Sequence, residues 1–322
     1  MLDPFPPPAW FQENVSHPLA SYLRLPALSQ HTHESAIALV TYQLTHFYLS
    51  PFLSRWLFPR HYPNLSPATK LNWHTHVVSS VHSILISTVA VWVMLHDEEW
   101  RLMSYEPVGA VERVYGYTGA LGLLAALAQG YFIYHLVMAT VHFKVFGIGT
   151  LFHAVSCSAF IFGFTPFLLF YYAPFLLFEV SNPFVNNYWF LKELGINRGV
   201  LYIVNGALLF LSFFVCRVVW GSWHTVFALS DLWSSTEDTW SGSALLDRNH
   251  LRCISAERIN EALLEACVEQ SKFASEAPVR TPTWVAVMYA TPLLILCLLN
   301  YFWFFKIFRL AWRHIQNHLK TS

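Results

Sequence analysis

Seven long apolar stretches divide this chain of 322 residues and restrict the folds available to it. A helix needs about 20 mostly apolar residues to cross the roughly 30 Å hydrocarbon core of a bilayer. We therefore predict an all-α, polytopic membrane bundle of six to seven transmembrane helices. The predicted windows are residues 34–57, 73–95, 117–140, 145–163, 165–181, 199–220 and 283–311.

The composition agrees with a membrane protein and excludes some partners. Apolar residues make up 55% of the chain and charged residues only 12%, about half the share of roughly 25% in soluble domains. Because 19 basic residues balance 19 acidic ones, nothing indicates a nucleic-acid partner. The N-terminal residues are Pro-rich and lack a basic region followed by an apolar one, so no cleavable signal peptide is predicted.

The distribution of polar residues predicts four parts of the chain. A Pro-rich segment (1–33) precedes the membrane domain (34–220), which is followed by a hydrophilic insertion (221–282). The last transmembrane helix and a basic tail occupy residues 283–322. Within the insertion, Ser230 to Gly242 is predicted to be a loop. The apolar stripe from Ser255 to Lys272 predicts one amphipathic helix.

Positive charge in the connections predicts the orientation, because basic loops stay on the cytosolic side of a membrane. The basic residues fall in alternate connections, which places the N-terminus in the lumen and the C-terminus in the cytosol. Asn14 would then lie in a lumenal glycosylation sequon, and the sequon at Asn64 would lie in the cytosol. The basic residues that carry this prediction are Arg55, Arg60, Lys70, Lys144, Lys192, Arg198, Lys306, Arg309, Arg313 and Lys320.

Glu179 stands near the end of an almost unbroken apolar run, residues 160–180. A carboxylate at membrane depth is costly unless it faces a polar cavity or a partner, which indicates a functional site. Asn182 and Pro183 follow it and are predicted to end the helix and to supply hydrogen-bonding groups at the mouth of a pocket. Arg217, near the end of the sixth window, is expected to extend to the interface rather than to pair with Glu179.

Four further polar side chains lie within the predicted spans. His82 is about two turns inside the second span, and Tyr131 and His135 are four residues apart on one helical face. His153, in the middle of the fourth span, could act as a general base or accept an acyl group. Interhelical hydrogen bonds or a satisfied core histidine would also explain these residues. We predict that all four point, with Glu179, into one shared cavity.

The remaining histidines give little indication of a metal. His31 and His33 form one His-x-His pair, and His74 and His76 form another, without a second cluster beside either. An interfacial position near the start of the second span explains His74 and His76. No metal site is therefore predicted.

Three motifs resemble the TLC-domain family, which includes ceramide synthases. Residues 179–189 have the sequence EVSNPFVNNYW, which resembles a signature of the smaller, non-ceramide-synthase members. Residues 78–83, VSSVHS, resemble the serine–histidine motif of the family's second span. Residues 130–135, GYFIYH, resemble the segment where the family usually carries an aspartate. The resemblance covers residues 34–220, and its extension to residue 311 is left open.

The chain departs from the ceramide-synthase pattern at two positions. Ceramide synthases carry paired histidines, where this chain has Phe152 followed by His153. His135 stands in place of the family's aspartate. Ceramide synthases transfer an acyl group from acyl-CoA to a sphingoid amine, and the resemblance implicates their paired histidines in that reaction.

The resemblance implies a role in lipid metabolism in the endoplasmic reticulum. Two functions stay open: a non-catalytic regulator or carrier that binds a lipid or acyl chain, and an acyltransferase acting on a sphingoid amine or lysolipid. In the second, His153 and Glu179 would be catalytic. No cofactor is expected beyond acyl-CoA as a substrate; membrane lipids are the expected partners, and a homodimer is left open. The residues expected to bind substrate are His82, Tyr131, His135 and Asn182.

Overall fold

The computed structural model describes residues 1–104, 110–236, 268, 269, 272, 273 and 281–321. Helix accounts for 85% of the structure, and the described residues contain no strand, which confirms the all-α class. The α-helices are α1 (Ala9–Phe11), α2 (His17–Leu23), α3 (Leu28–Leu44), α4 (Ser50–Leu57), α5 (Pro67–His96), α6 (Glu98–Met103), α7 (Ala110–Tyr115), α8 (Gly119–Val141), α9 (Phe143–Ser158), α10 (Tyr172–Leu176), α11 (Asn182–Glu193), α12 (Val200–Ser212), α13 (Trp220–Ser234) and α14 (Thr283–Thr321).

Five helical segments in the described part of the chain are long and apolar enough to cross a bilayer. The chain is therefore an integral membrane protein with a polytopic helical bundle. Two segments combine several elements: α9 continues into the 3-10 helix Ala159–Phe164, and α12 joins α13 through a π-helix. The five segments are Pro67–His96, Gly119–Val141, Phe143–Phe164, Val200–Ser234 and Thr283–Arg313.

The first predicted span consists of three successive helical stretches. Helix α3 is followed by the π-helix Thr45–Leu49 and then by α4. Pro51 lies in the first turn of α4. Proline has no N–H to donate to the carbonyl four residues earlier and its ring crowds that carbonyl, so the preceding turn widens.

Helix α8 lies at the centre of the bundle and packs against α3, α5 and α9. Small residues on α8 permit this close packing, which drives helix association in a bilayer. A Cβ at Gly130, for example, would lie 2.6 Å from the Cβ of Ala38 on α3. Glycine is therefore required where these two helices cross.

The fifth predicted span, residues 165–181, is not a single transmembrane helix. It consists of the 3-10 helix Leu169–Tyr171, the five-residue α10, and the 3-10 helix Leu177–Ser181. Leu168 adopts a left-handed conformation at φ 57°, and residues 167–176 are buried. Irregular backbone at membrane depth is tolerated where protein surrounds it. The apolar character of this window reflects burial in the bundle rather than contact with lipid.

The sixth predicted span is longer than the sequence indicated. Residues Val200–Ser234 form 35 residues of continuous helix, well past the predicted end at 220. Residues 230–234, predicted to begin a loop, therefore belong to this helix, and residues 237–242 of that prediction lie outside the described residues. The amphipathic helix predicted from Ser255 to Lys272 lies almost entirely outside the described residues.

A buried ion pair fastens α7 to α13. The Arg113 Nε donates to Asp231 Oδ2 at 2.6 Å, and its Nη2 donates to Asp231 Oδ1 at 3.0 Å. Arg113 Nη1 donates to the Met103 carbonyl. The Tyr171 hydroxyl donates to the Asp231 carboxylate. Two parallel hydrogen bonds between a guanidinium and a carboxylate are the arrangement that best offsets the cost of burying charge.

Candidate functional site

Glu179 is buried where two helical segments meet. It lies in the 3-10 helix Leu177–Ser181, which leads into α11, and is 7% exposed. The Asn182 side-chain amide donates to Glu179 Oε2 at 2.6 Å. Pro183 does not end the helical path but lies in the first turn of α11, where its missing N–H costs no helical bond. The carboxylate therefore has a hydrogen-bond donor from the turn that follows it.

Arg217 is the ionic partner of Glu179, and the expectation that it extends to the interface is wrong. It is 6% exposed, and its Nη2 lies 3.5 Å from Glu179 Oε1. Nε donates to Ser181 Oγ at 2.8 Å and Nη2 to Asn182 Oδ1 at 2.8 Å. Nη1 donates to Asn300 Oδ1 at 3.3 Å. The guanidinium thus joins the turn before α11 to α14.

The length of the helix Val200–Ser234 explains why the interfacial position predicted for Arg217 is wrong. Arg217 lies at the midpoint of the helix Val200–Ser234. With a rise of 1.5 Å per residue, the helix is about 50 Å long, so either end is about 25 Å from this residue. A side chain at the midpoint cannot reach an interface that is accessible from a helix end.

Two cavities meet at Arg217 and His153. The inner cavity, of about 30 Å³, is also lined by Glu179 and Cys157, and it has room for about one or two water molecules. The outer cavity is a groove of about 310 Å³. Arg217 and His153 form a shared wall. The other residues that line the groove are Asn182, Val185, Phe213, Trp303, Lys306 and Ile307.

Four predicted site residues form a continuous series of ring contacts. The rings of His82 and Tyr131 stack with centroids 3.7 Å apart, and Tyr131 is parallel to His135 with centroids 5.7 Å apart. His135 contacts His153 edge-on, at 5.6 Å. The Tyr42 hydroxyl shares a hydrogen bond of 2.9 Å with His82 Nδ1. The structure therefore brings these four residues together, but His153 is the one of the four that lines the two cavities, so the prediction of one cavity shared by all four and Glu179 is wrong.

Glu179 belongs to a different hydrogen-bonded group. In the described part of the chain, no hydrogen bond joins it to His82 or His153. His153 contacts the Cys157 thiol at 3.6 Å. The Nε2 atoms of His82 and His135 have no hydrogen-bond partner among the described residues. Among the described residues, no carboxylate is hydrogen-bonded to these imidazoles to orient a general base. The Glu179–Arg217 centre instead combines a cation, a carboxylate and amide groups.

Comparison with known proteins decides the family. The family model described as the TLC domain matches residues 72–309, most of the chain. The chain belongs to the TLC-domain family. The matched region starts within α5, includes every residue of the Glu179–Arg217 centre, and extends into α14.

Relatives of this TLC-domain protein occur from yeast to human. An uncharacterized TLC domain-containing protein of Schizosaccharomyces pombe is 31% identical over 217 residues, 67% of this chain and 70% of the relative. Topoisomerase I damage affected protein 4 of Saccharomyces cerevisiae is 29% identical over 215 residues, 65% and 73% of the two chains. TLC domain-containing protein 4 of Homo sapiens is 28% identical over 188 residues, 57% and 68%. No solved structure is significantly similar to this chain.

Asn186 is a residue of this TLC domain whose role the sequence did not indicate. Its Oδ1 accepts from His76 Nδ1 at 2.8 Å, and its Nδ2 donates to Ser79 Oγ at 3.1 Å and Ser80 Oγ at 3.0 Å. It thereby connects α11 to α5. A sequence signal for this contact was present, because Asn186 lies in the motif of residues 179–189 and Ser79 and Ser80 lie in the motif of residues 78–83.

The sequence predicts an interfacial position for His74 and His76, but both side chains have partners within the protein. His74 is buried between the Ser50 hydroxyl at 2.8 Å and the Tyr62 hydroxyl at 3.1 Å. His76 is half-buried and stacks on Trp189, with ring centroids 4.4 Å apart. Both imidazoles therefore serve to hold the start of α5 against its neighbours.

Proposed function

We propose that this TLC-domain protein binds a membrane lipid at the Glu179–Arg217 centre and acts in membrane lipid homeostasis as a non-catalytic regulator or carrier. The observation that supports this proposal is the position of Arg217, a buried cation in the wall of the groove. Buried ionisable groups in membrane spans are usually retained for binding or transport, because they are costly to accommodate.

The groove combines the two surfaces that a lipid requires. Arg217 and Asn182 supply polar atoms at the groove, and Val185 and Ile307 supply apolar surface. A headgroup oxygen would accept hydrogen bonds from the guanidinium and the amide. The acyl chains would follow the apolar surface towards the hydrocarbon, where they keep their favourable environment.

The charges around the groove favour a lipid with a phosphate or carboxylate headgroup. Glu179 neutralises Arg217 in part, and Lys306 adds a second positive charge at the groove. Arginine binds such oxyanions through several parallel N–H groups, and lysine binds them as a point charge. The lipid class we propose therefore carries an anionic group in its headgroup.

Rescue of a deletion strain tests this function. We expect the double variant Glu179→Gln/Arg217→Gln to accumulate but to fail to restore the lipid profile, because it removes the cation that would hold the headgroup and leaves no unpaired charge. His153→Ala should restore the profile, since binding needs no nucleophile. Full rescue by the folded double variant would overturn the proposal.

Acyl transfer is the second candidate, and the position of His153 in the groove wall supports it. The imidazole would attack the thioester carbon of acyl-CoA, and the C–S bond would break to release the thiol. An amine or hydroxyl of the acceptor lipid would then take the acyl group, lose its proton and regenerate the imidazole. Loss of rescue by His153→Ala, together with acyl transfer by the purified wild type, would favour this function.

We propose that the protein resides in the endoplasmic reticulum, with its N-terminus in the lumen and its C-terminus in the cytosol. The alternation of basic connections supports this orientation. Glycosylation mapping would find Asn14 modified and Asn64 unmodified. A glycan on Asn64, or protection of a C-terminal tag from protease in sealed microsomes, would contradict it.

A further inference from the structure

A second cluster of ionisable side chains contains none of the residues that line the groove. Its members are Asp3, His31 and Glu34, whose side chains are 9%, 0% and 4% exposed. His31 Nδ1 lies 2.6 Å from Glu34 Oε2 and 3.7 Å from Asp3 Oδ2. One ligand atom from each residue lies within 4.8 Å of the other two. Three potential metal ligands thus converge in a buried position.

Two glycines of α8 make this convergence possible. A Cβ at Gly119 would collide with the backbone of Asp3, and a Cβ at Gly122 would collide with the His31 ring. The two glycines are three residues apart and face the same side of α8. His31 and Glu34 are likewise three residues apart on α3. The fold therefore brings the N-terminal segment, α3 and α8 together at this point.

Tyr117 holds the His31 ring in the orientation that a ligand needs. Its hydroxyl lies 2.6 Å from His31 Nε2, so that nitrogen has its own hydrogen bond. The other nitrogen, Nδ1, faces the two carboxylates. Metal-ligating histidines usually hydrogen-bond through the nitrogen that does not bind the metal, which fixes the tautomer.

The cluster has more acceptors than donors. Asp3 Oδ2 and Glu34 Oε1 are buried and accept no hydrogen bond from an N–H or hydroxyl group within the described residues, and the two carboxyls can hydrogen-bond to each other only when one of them is protonated. In that same part of the chain, neither carboxylate forms an ion pair with a lysine or arginine. Buried carboxylate oxygens need a donor or a cation, and one imidazole cannot serve all of them.

We propose that Asp3, His31 and Glu34 bind a divalent first-row transition cation such as Zn²⁺ or Mn²⁺. One imidazole nitrogen and two carboxylate oxygens form a donor set suited to these cations, whereas Mg²⁺ and Ca²⁺ prefer oxygen ligands alone. A cation would serve the two unpartnered oxygens and offset the buried negative charge. The spacing of His31 and His33 does not indicate this site, because Asp3 comes from a distant part of the chain.

Metal content of the purified full-length protein tests the proposal. The protein is treated with chelator in detergent, incubated separately with Zn²⁺ and with Mn²⁺, desalted and analysed by mass spectrometry of the elements. We expect stoichiometric retention of at least one of the two metals and a rise in melting temperature, since a ligand that binds only the folded state stabilises it. Glu34→Gln should weaken binding by at least about tenfold.

Two further variants separate the site from adventitious binding and from misfolding. Asp3→Asn alters the ligand supplied by the N-terminal segment and should weaken metal binding even if Glu34→Gln fails to fold. Glu98→Gln changes an exposed carboxylate, 75% exposed, in α6 and should bind as the wild type does. Failure of the wild type to retain either metal, or equal retention by the folded Asp3→Asn protein, would overturn the proposal.

Discussion

The described part of the molecule contains two buried arginine–carboxylate pairs that differ in what surrounds them. Arg113 and Asp231 form two short hydrogen bonds, and Arg113 Nη1 also donates to the Met103 carbonyl. Arg217 and Glu179 approach only to 3.5 Å, and the other donors of Arg217 reach three neutral side chains. The first pair is bidentate, whereas the second adjoins a groove of about 310 Å³.

This difference separates a structural ion pair from a binding site. Burial of charge alone does not indicate function, because the Arg113–Asp231 pair is as deeply buried as the other. What distinguishes Arg217 is a loose ionic contact combined with an accessible wall. A guanidinium shared among several neutral acceptors can exchange one of them for a ligand oxygen at little cost, whereas a bidentate pair cannot.

The stability of the protein should be more sensitive to substitution in the bidentate Arg113–Asp231 pair than in the Glu179–Arg217 pair. We expect Asp231→Asn to destabilise the protein by about 3–5 kcal/mol, the usual cost of removing one partner from a buried pair. The lipid bound by the protein should not change in kind. Unfolding in detergent, followed by the lipid content of the surviving protein, checks both statements. A stability loss below that of Arg217→Gln would remove the distinction between the two pairs.

Loss of the cation from the Glu179–Arg217 pair should destabilise the protein less. Arg217→Gln should cost about 2–3 kcal/mol, because Asn182 still donates to Glu179 and the adjoining cavities admit water. The double variant Glu179→Gln/Arg217→Gln should recover most of this loss, since it leaves no unpaired charge. Melting temperatures of the two single variants and the double variant provide the measurement. No recovery in the double variant would show that the two charges do not stabilise each other.

The smallest effect is expected at the mouth of the groove. Lys306 and Arg309 lie on α14, and each contacts an aromatic ring four residues earlier at 4.2 Å, but only Lys306 lines the groove. Lys306→Gln should weaken binding of an anionic lipid about two- to fivefold, as expected for an exposed charge. Arg309→Gln is the matched control and should have no effect. Lipid titration of both purified variants measures the difference; equal effects would exclude Lys306 from the site.

The fold class and the importance of Glu179 could be predicted from sequence because both follow from the free-energy cost of placing polar groups in the hydrocarbon of a bilayer. Long apolar runs have few stable solutions other than membrane helices, and a carboxylate within such a run needs a partner. The prediction that residues 165–181 form one transmembrane helix is wrong for a related reason. An apolar run of this length fits contact with lipid and contact with protein equally well, and residues 167–176 are buried in protein.

The partners of Glu179 could not be predicted, because they depend on long-range packing. Arg217 and Asn300 are distant in sequence, and Arg217 was assigned to a helix end that the structure places at Ser234. The ring contacts from His82 to His153 likewise depend on how α5, α8 and α9 pack. Helical periodicity relates residues within one helix only, and here it related Tyr131 to His135.

The lipid content of the double variant Glu179→Gln/Arg217→Gln tests the central claim most directly. Wild type, the double variant and Asp231→Asn are purified in parallel from the same membranes, and their lipids are quantified by mass spectrometry relative to protein. The account predicts that wild type and Asp231→Asn retain one headgroup class enriched over the bulk membrane, and that the double variant loses this enrichment while remaining folded. Retention of the same lipid in the same amount by the folded double variant would contradict it.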